Sequence, residues 1–189
     1  RSNNTSILRS VYIDNHTRNP KVKGVNEFIN NVIYNWRVAG YILGDTSGDS
    51  SANIIQNYFV NGPSTSSSAF SRANANFRLY AANNYQDSNR DGVLNGGLIP
   101  ISAYGPVTWV DEPFDYPGVQ RLLDAATAYK LAASQAGAYR PARDATDRRL
   151  MAELRSVGVL GQIIADENDS PFYGVGTVHG GTPPTDTDG

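Results

Sequence analysis

Three cations lie close together early in the chain, around a proline. Arg18 stands two residues before Pro20, and Lys21 and Lys23 follow it. Proline fixes its own φ and restricts the residue before it, so this segment is expected to form a stiff turn. Guanidinium and ammonium groups bind carboxylates and stabilise negative charge that develops beside them. The segment could therefore bind an acidic ligand and assist chemistry next to its carboxylate.

The charge distribution also favours an acidic ligand near the amino-terminal third. The formal net charge is −2, yet residues 1–40 carry six Lys or Arg against Asp14 and Glu27, a local charge of +4. The remainder of the chain is acidic, and a basic patch on an acidic protein suits a polyanion. The alternatives are a solvated cationic face and, for Arg18, a surface ion pair with Asp14 or Glu27.

Asparagine marks a repeat in the first half of the chain, where 17 of the 18 Asn precede residue 96. An apolar or small run reaches Asn and two bulky residues follow, at Asn31, Asn57 and Asn84, with a degenerate copy at Ser10. Short strands with polar corners at such spacings predict a solenoid of stacked coils. Asparagine at one corner can form an amide ladder between the coils. A two-sheet sandwich with polar turns is the alternative.

The motif Arg18-x-Pro20-x-x-Lys23, followed by Asn-Asn-Val-Ile-Tyr-Asn-Trp over 30–36, resembles the catalytic-arginine coil of the pectate lyases. These polysaccharide lyases cleave polygalacturonate by β-elimination. The resemblance is to the fungal pectate lyase C type and extends from Ser6 to about Gly181. It implies an all-β fold, a right-handed parallel β-helix with a short α-helical carboxyl-terminal segment. The family's calcium ligands and a further lysine lie upstream of this coil, so a carboxyl-terminal portion is expected.

The resemblance also implies roles for the three cations. The first arginine of the motif is the family's proposed base, which maps to Arg18. The cation five residues later usually orients the substrate carboxylate; here it is Lys23, a point charge without arginine's bidentate fork. Lys21 is a further substrate-binding candidate, although its offset from Arg18 and Lys23 turns it toward solvent. Positive charge from both lysines and from substrate-bound calcium would favour the neutral, basic form of Arg18.

Two neighbouring side chains are assigned structural roles. His16 could act as an acid, but it is interpreted as a residue that packs between coils. Trp36 could be a platform for a sugar ring, but it ends an apolar strand beside Tyr34 and is expected in the core.

Residues 87–98 form a second candidate site. The predicted calcium ligands are Asp87, Asn89, Asp91, the carbonyl of Val93 and Asn95. With Gly92 at the sixth position, they follow the front of an EF-hand-type loop. The twelfth position, normally a bidentate Glu, is Leu98. A structural Ca²⁺ is predicted here, and an ion-free Asp/Asn/Gly turn is the alternative.

Three regions are expected along the chain. They are β-helix coils over 1–115, a helical segment that packs on the solenoid over 116–160, and an extended tail over 161–189. Apolar periodicity predicts one helix from Val119 to near Gly137. A second is predicted to start at Asp144 and to stop at Gly158.

The expected function is a secreted, extracellular, calcium-dependent pectate lyase that acts on polygalacturonate or pectin. An amino-terminal companion chain from the same precursor could complete the solenoid. Sequons at Asn3, Asn4, Asn15 and Asn168 permit secretion. Two alternatives stay open: a β-helix that binds pectin without cleaving it, and a pectin lyase that acts on methylated substrate. A nucleic acid is not expected as a partner, because the formal net charge is −2. A membrane is not expected either, because no stretch approaches ~20 apolar residues.

Overall fold

A computed structural model of the chain describes residues 4–45, 48–137, 139–140 and 142–164. Within these ranges, thirteen short strands come first and two helices follow. The strands are Thr5–Leu8 (β1), Val11–Ile13 (β2), Lys21–Val22 (β3), Val25–Ile29 (β4), Val32–Tyr34 (β5), Tyr41–Leu43 (β6), Ser50–Ile55 (β7), Tyr58–Val60 (β8), Phe70–Ser71 (β9), Phe77–Ala82 (β10), Tyr85–Asp87 (β11), Gly97–Leu98 (β12) and Thr108–Trp109 (β13). The helices are Ala125–Gln135 (α1) and Ala145–Arg155 (α2), and a 3-10 helix spans Ile101–Tyr104.

The strands form three sheets that the chain visits in turn. Sheet A has the order β1-β4-β7-β10-β13, sheet B the order β2-β5-β8-β11-β12, and sheet C the order β3-β6-β9. Every pairing is parallel except that of β11 with β12. Coil 1 (β1 to β3), coil 2 (β4 to β6) and coil 3 (β7 to β9) therefore stack in register. The prediction of a parallel β-helix followed by two helices is confirmed.

A two-residue corner joins sheet A to sheet B in each coil. Its first residue has a positive φ every time: 50° at Arg9, 57° at Asn30, 55° at Gln56 and 52° at Asn83. The left-handed conformation turns the chain sharply, and polar side chains tolerate it better than β-branched ones. The repeated corner keeps the second corner residues in one column.

That column is a ladder of buried amides. The Nδ2 of Asn31 donates to Oδ1 of Asn57 at 3.1 Å, and the Nδ2 of Asn57 donates to Oδ1 of Asn84 at 2.8 Å. The backbone N–H of Ser10, Asn31 and Asn57 each donates to the Oδ1 on the next coil, at 2.9, 2.8 and 3.0 Å. The Asn84 amide closes the ladder by donating to the Tyr104 hydroxyl at 2.9 Å. The predicted ladder is confirmed, with Ser10 as its first member.

Aromatic side chains fill the interior of the coils. Phe28, Tyr41, Phe59 and Phe70 pack in edge and tilted pairs with centroids 5.0–6.0 Å apart. Trp36 joins this core, and its Nε1 donates to the Ser67 carbonyl at 3.1 Å. The prediction that Trp36 is a core residue is confirmed.

The two helices cover sheet B. Tyr129 of α1 and Leu154 of α2 pack with the outward side chains of β5 and β8, such as Tyr34 and Tyr58. Asp144 caps α2 by accepting the Asp147 N–H at 2.7 Å, as predicted. The predicted start of the first helix at Val119 is wrong. The helix begins at Ala125 because Asp124 caps it, accepting the Thr127 N–H at 2.8 Å.

An extended segment, residues 111–124, crosses sheet A and is called the strap here. Asn53 of coil 3 exchanges two hydrogen bonds with the Phe114 backbone, at 2.8 and 2.9 Å. Asn30 of coil 2 does the same with the Leu123 backbone, at 2.8 and 3.0 Å. In coil 1, the Arg9 guanidinium donates to the carbonyl of Arg121 at 2.7 Å. Residues 119–123 are not helical, because these bonds hold Arg121 and Leu123 against the coils.

A buried acid pair joins coil 1 to α2. Asp14, at the end of β2, accepts from the Asn35 Nδ2 at 2.6 Å. Glu153 of α2 accepts from the Arg149 Nε at 2.7 Å. The second oxygens of Asp14 and Glu153 are buried and accept no hydrogen bond from the described residues. Burial, followed by the neighbouring Glu153 carboxyl group, raises the pKa of Asp14 to about 8.

The Asp14 proton makes stability depend on pH. Since the pKa of Asp14 rises from 3.8 to about 8 on folding, the folded protein holds a proton that the unfolded chain releases. We expect the free energy of unfolding to fall as pH rises across that window. Asp14→Asn, whose amide stays neutral, should weaken this dependence in urea titrations at pH 5 and pH 8. Exposed Asp115→Asn is the control, and equal pH dependence in all three proteins would contradict the assignment.

Removing one rung of the amide ladder should destabilise the solenoid. Asn57→Ala removes the buried acceptor of the Asn31 backbone N–H and of the Asn31 Nδ2, and the buried donor to the Phe28 carbonyl. We therefore expect a loss of about 3 kcal/mol in the free energy of unfolding. The control is Asn76→Ala, an exposed position. Chemical denaturation measures both variants. A cost for Asn57→Ala equal to that of the control would show that the ladder adds no stability.

Candidate functional site

The turn that leads into sheet C carries the first candidate residue. Arg18 is exposed and has a φ of 61°. The next residue, Asn19, is buried and anchors the turn to coil 2. Its side-chain Nδ2 donates to the Ala39 carbonyl at 2.9 Å, and its backbone N–H donates to the Gly40 carbonyl at 3.0 Å. The Arg18 backbone is therefore fixed while its side chain stays accessible.

One open cavity of about 530 Å³ brings the three predicted cations together. Arg18, Lys21 and Lys23 line it, and Thr5 and Ile7 of β1 complete it from coil 1. The cavity lies beside β1 and β3. Among the described residues these are edge strands, since each pairs with a neighbour on one side only. The sequence motif is thus a spatial cluster of positive charge.

The three cations differ in their pairing. Within the described ranges, neither Arg18 nor Lys23 makes a hydrogen bond or an ion pair, and both are exposed. The alternative of an ion pair for Arg18 does not hold, because the Asn35 amide and the Ser6 hydroxyl contact Asp14 and Glu27. Two positive groups therefore face the cavity without a counter-charge from these residues.

Lys21 has a partner that the sequence did not predict. Its Nζ lies 2.6 Å from the Asp45 Oδ2 on coil 2, and its side chain is only partly exposed, so it does not simply point to solvent. Arg72 on coil 3 contacts the same oxygen at 3.4 Å. The Lys21 hydrogen bond, followed by the charge of Lys21 and Arg72, holds the pKa of Asp45 below its usual range. Sequence spacing could not reveal this cluster because the loops between the sheets differ in length.

His16 does not have the predicted role. Its side chain is exposed, and its backbone carbonyl accepts the Val38 N–H at 2.7 Å. The prediction that His16 packs between coils is wrong, because the residue stands in the turn between sheets B and C rather than in a strand.

The predicted calcium loop lies between β11 and β12, on another part of the solenoid. Asn89 Nδ2 donates to Asp91 Oδ2 at 3.0 Å and to Asn95 Oδ1 at 2.8 Å. Asn95 Nδ2 donates to the same Asp91 oxygen at 3.0 Å. The Val93 N–H donates to Asp91 Oδ1 at 2.8 Å and, as the largest cause, lowers the pKa of Asp91. Three predicted ligands, Asn89, Asp91 and Asn95, are thus linked to one another by hydrogen bonds.

The fit of this loop to a cation is partial. Asp87 ends β11 and is buried, and its Oδ2 accepts the Asn95 N–H at 3.0 Å. Leu98, at the twelfth position, lies in β12 and is exposed, so it adds no ligand. No group of three or more His, Cys, Asp or Glu that could hold a metal occurs within the described residues. The loop instead offers two carboxylates and two amides, which can present oxygen after rotation.

Comparison with known proteins relates the chain to fungal enzymes. It is 50% identical to the probable pectate lyase C of Aspergillus terreus over 187 residues, which is 97% of this chain and 44% of that protein. Its identity to the probable pectate lyases C of Neosartorya fischeri and Aspergillus fumigatus is 50% with the same coverage. No family model matches the chain. The chain therefore spans less than half the length of these relatives.

None of the helices in the described part of the chain has the length and apolar character needed to cross a membrane.

Proposed function

Because the chain is homologous over nearly its whole length to fungal pectate lyases C, we propose that it carries the catalytic arginine of a calcium-dependent pectate lyase. The substrate is (1→4)-α-D-galacturonan, and the reaction is β-elimination. The observation that carries this proposal is the pair of exposed cations, Arg18 and Lys23, which line one cavity beside sheet C.

The reaction needs a base beside a bound carboxylate. Neutral Arg18 takes the proton from C5 of a galacturonate residue, and the electron pair forms the C4–C5 double bond. The bond from C4 to the glycosidic oxygen breaks, and that oxygen takes a proton from water. Lys23 stabilises the negative charge that develops on the substrate carboxylate.

Asp45 pairs with one of the three cations and so changes which of them carry an uncompensated charge. It lies 2.6 Å from the Lys21 Nζ and offsets that positive charge. Positive charge beside Arg18 would then come from Lys23, and a calcium ion bound to the substrate would add to it. Lys21 remains a substrate-binding candidate that must exchange Asp45 for a substrate carboxylate.

The strand edges of coil 1 support a companion segment. In the described residues, β1, β2 and β3 each pair on one side only. Parallel strands with open edges bind further strands. An amino-terminal companion chain or segment would cover these edges and extend the cavity, and without it the chain would be a pectin-binding β-helix that does not cleave. We expect the protein to be secreted, and the exposed Asn15 sequon is accessible to a glycan.

A second proposal concerns the loop over 87–98. It binds a structural Ca²⁺ through Asp87, Asn89, Asp91, the Val93 carbonyl and Asn95. The hydrogen bonds of 2.8–3.0 Å that link three of these side chains support it, because rotation of the two amides would bring their oxygens beside the Asp91 carboxylate, and Ca²⁺ takes oxygen ligands. The ion would stabilise the loop and take no part in proton removal.

Loss of the proposed base should abolish elimination but preserve binding. In a chimera, this chain replaces the matched part of the Aspergillus terreus relative. We expect Arg18→Ala to lower its kcat about 10³-fold, because general-base catalysis contributes on this scale. The ultraviolet absorbance of the unsaturated product measures the rate. Arg121→Ala on the strap is the control. Activity of Arg18→Ala within tenfold of the parent would contradict the assignment.

Calcium should stabilise the protein through the loop. We expect millimolar Ca²⁺ to raise the Tm of the chain by about 3–6 °C, because binding to the folded state adds stability. Asp91→Asn removes a charged ligand from an exposed position and should lose this response. Asp111→Asn, also exposed, should keep it. Differential scanning calorimetry makes the comparison, and equal shifts in all three proteins would reduce the loop to a polar turn.

A further inference from the structure

A fourth cation, Arg72, contacts Asp45, which is also the partner of the cavity residue Lys21. It directly follows β9 on coil 3, and its side chain is 54% exposed. Its Nη1 lies 3.4 Å from the Asp45 Oδ2, the one ion pair of Arg72 among the described residues. Arg72 thus adds a positive charge on coil 3, two coils along the solenoid from Arg18, Lys21 and Lys23.

Stability does not explain the position of Arg72. An exposed ion pair at this distance contributes little to folding. Its backbone has a φ of 56°, a conformation that residues other than glycine adopt at a cost.

Asp45 occupies the place that a ligand carboxylate would take. One of its oxygens contacts cations from two different coils, at 2.6 Å to Lys21 and at 3.4 Å to Arg72. Its side chain is 19% exposed, so an approaching acidic polymer could reach and displace it. Since Lys21 is held at the shorter distance, Arg72 is the partner that Asp45 releases more easily.

The strap and the two helices cover the outer faces of sheets A and B. The strap binds sheet A through Asn30 and Asn53. The apolar cluster of the two helices packs on sheet B and includes no strand residue of sheet C. A polymer that crosses the strands of sheet C from Arg18 would meet Arg72.

We propose that Arg72 is a further substrate-binding residue, which binds a carboxylate of the acidic polysaccharide other than the one held by Lys23. Asp45 competes for Arg72 in the free protein. Neighbouring strands lie about 4.8 Å apart, so coils 1 and 3 are separated by about 9.6 Å. A substrate carboxylate that replaces Asp45 would contact Arg72 beside Lys21, and a second carboxylate of the same chain would contact Lys23. The inference rests on the proposed function and predicts that affinity depends on substrate length.

Binding of digalacturonate and hexagalacturonate to the chain, measured by isothermal titration calorimetry, tests this inference. Arg72→Gln should weaken hexagalacturonate binding about five- to tenfold and leave digalacturonate binding within twofold, because one charge-assisted contact is lost. Asp45→Asn should strengthen hexagalacturonate binding. This gain should shrink in the Arg72→Gln background, because the two residues are coupled. Arg148→Gln, exposed on α2, is the control, and unchanged Tm values verify folding.

The outcomes separate this inference from the proposed function. If the parent chain binds hexagalacturonate and Arg72→Gln matches the Arg148→Gln control, the role of Arg72 is overturned and the proposed function stands. If Asp45→Asn strengthens hexagalacturonate binding equally in the parent and in the Arg72→Gln variant, Asp45 does not compete for Arg72. If the parent binds neither ligand, the inference fails, and the elimination assay on the chimera decides the proposed function on its own.

Discussion

The amide ladder at the corner between sheets A and B is the interaction on which the rest of the structure depends. Asn31, Asn57 and Asn84 link side chain to side chain and side chain to backbone through three coils. Because the ladder fixes how each coil stacks on the last, it also fixes the register of strands far from the corner. Sheet C inherits this register, which brings Lys21 of coil 1 within reach of Asp45 on coil 2. The spacing of the charges in the candidate site thus follows from a neutral, buried column on another edge of the solenoid.

The three outer faces of the solenoid serve different purposes. The helices bury the aromatic surface of sheet B, where Tyr34 and Tyr58 would otherwise meet water. The strap satisfies the outward asparagines of sheet A with backbone groups rather than with apolar contacts. The charged side chains Lys21, Asp45 and Arg72 lie in sheet C or just after its strands. A binding surface on rigid strands needs little rearrangement to accept an extended polymer, which lowers the entropy lost on binding.

The sequence predicted those parts of the fold that rest on short-range chemistry. The asparagine spacing predicted the ladder, and the Asp144 signal predicted the cap of α2. The start of α1 was predicted too early because the apolar periodicity begins in the strap, where Asn30 holds Leu123 outside the helix through two hydrogen bonds. Of the candidate site, the sequence predicted the clustered cations. It did not predict the Asp45 bridge, since contacts between coils depend on loop lengths and not on local spacing. His16 was misplaced for the same reason.

The strap gives the solenoid a property that stacked repeats ordinarily lack. In a simple repeat array each coil contacts only its neighbours, so the ends can fray while the middle stays folded. Here the chain leaves the last coils and runs back over the first, with Phe114 on coil 3, Leu123 on coil 2 and Arg121 on coil 1. Contacts of such long sequence separation slow folding, because the whole chain must be ordered before they form. They also join the coils into one cooperative unit, so the coil that bears Arg18 cannot open without the strap being released.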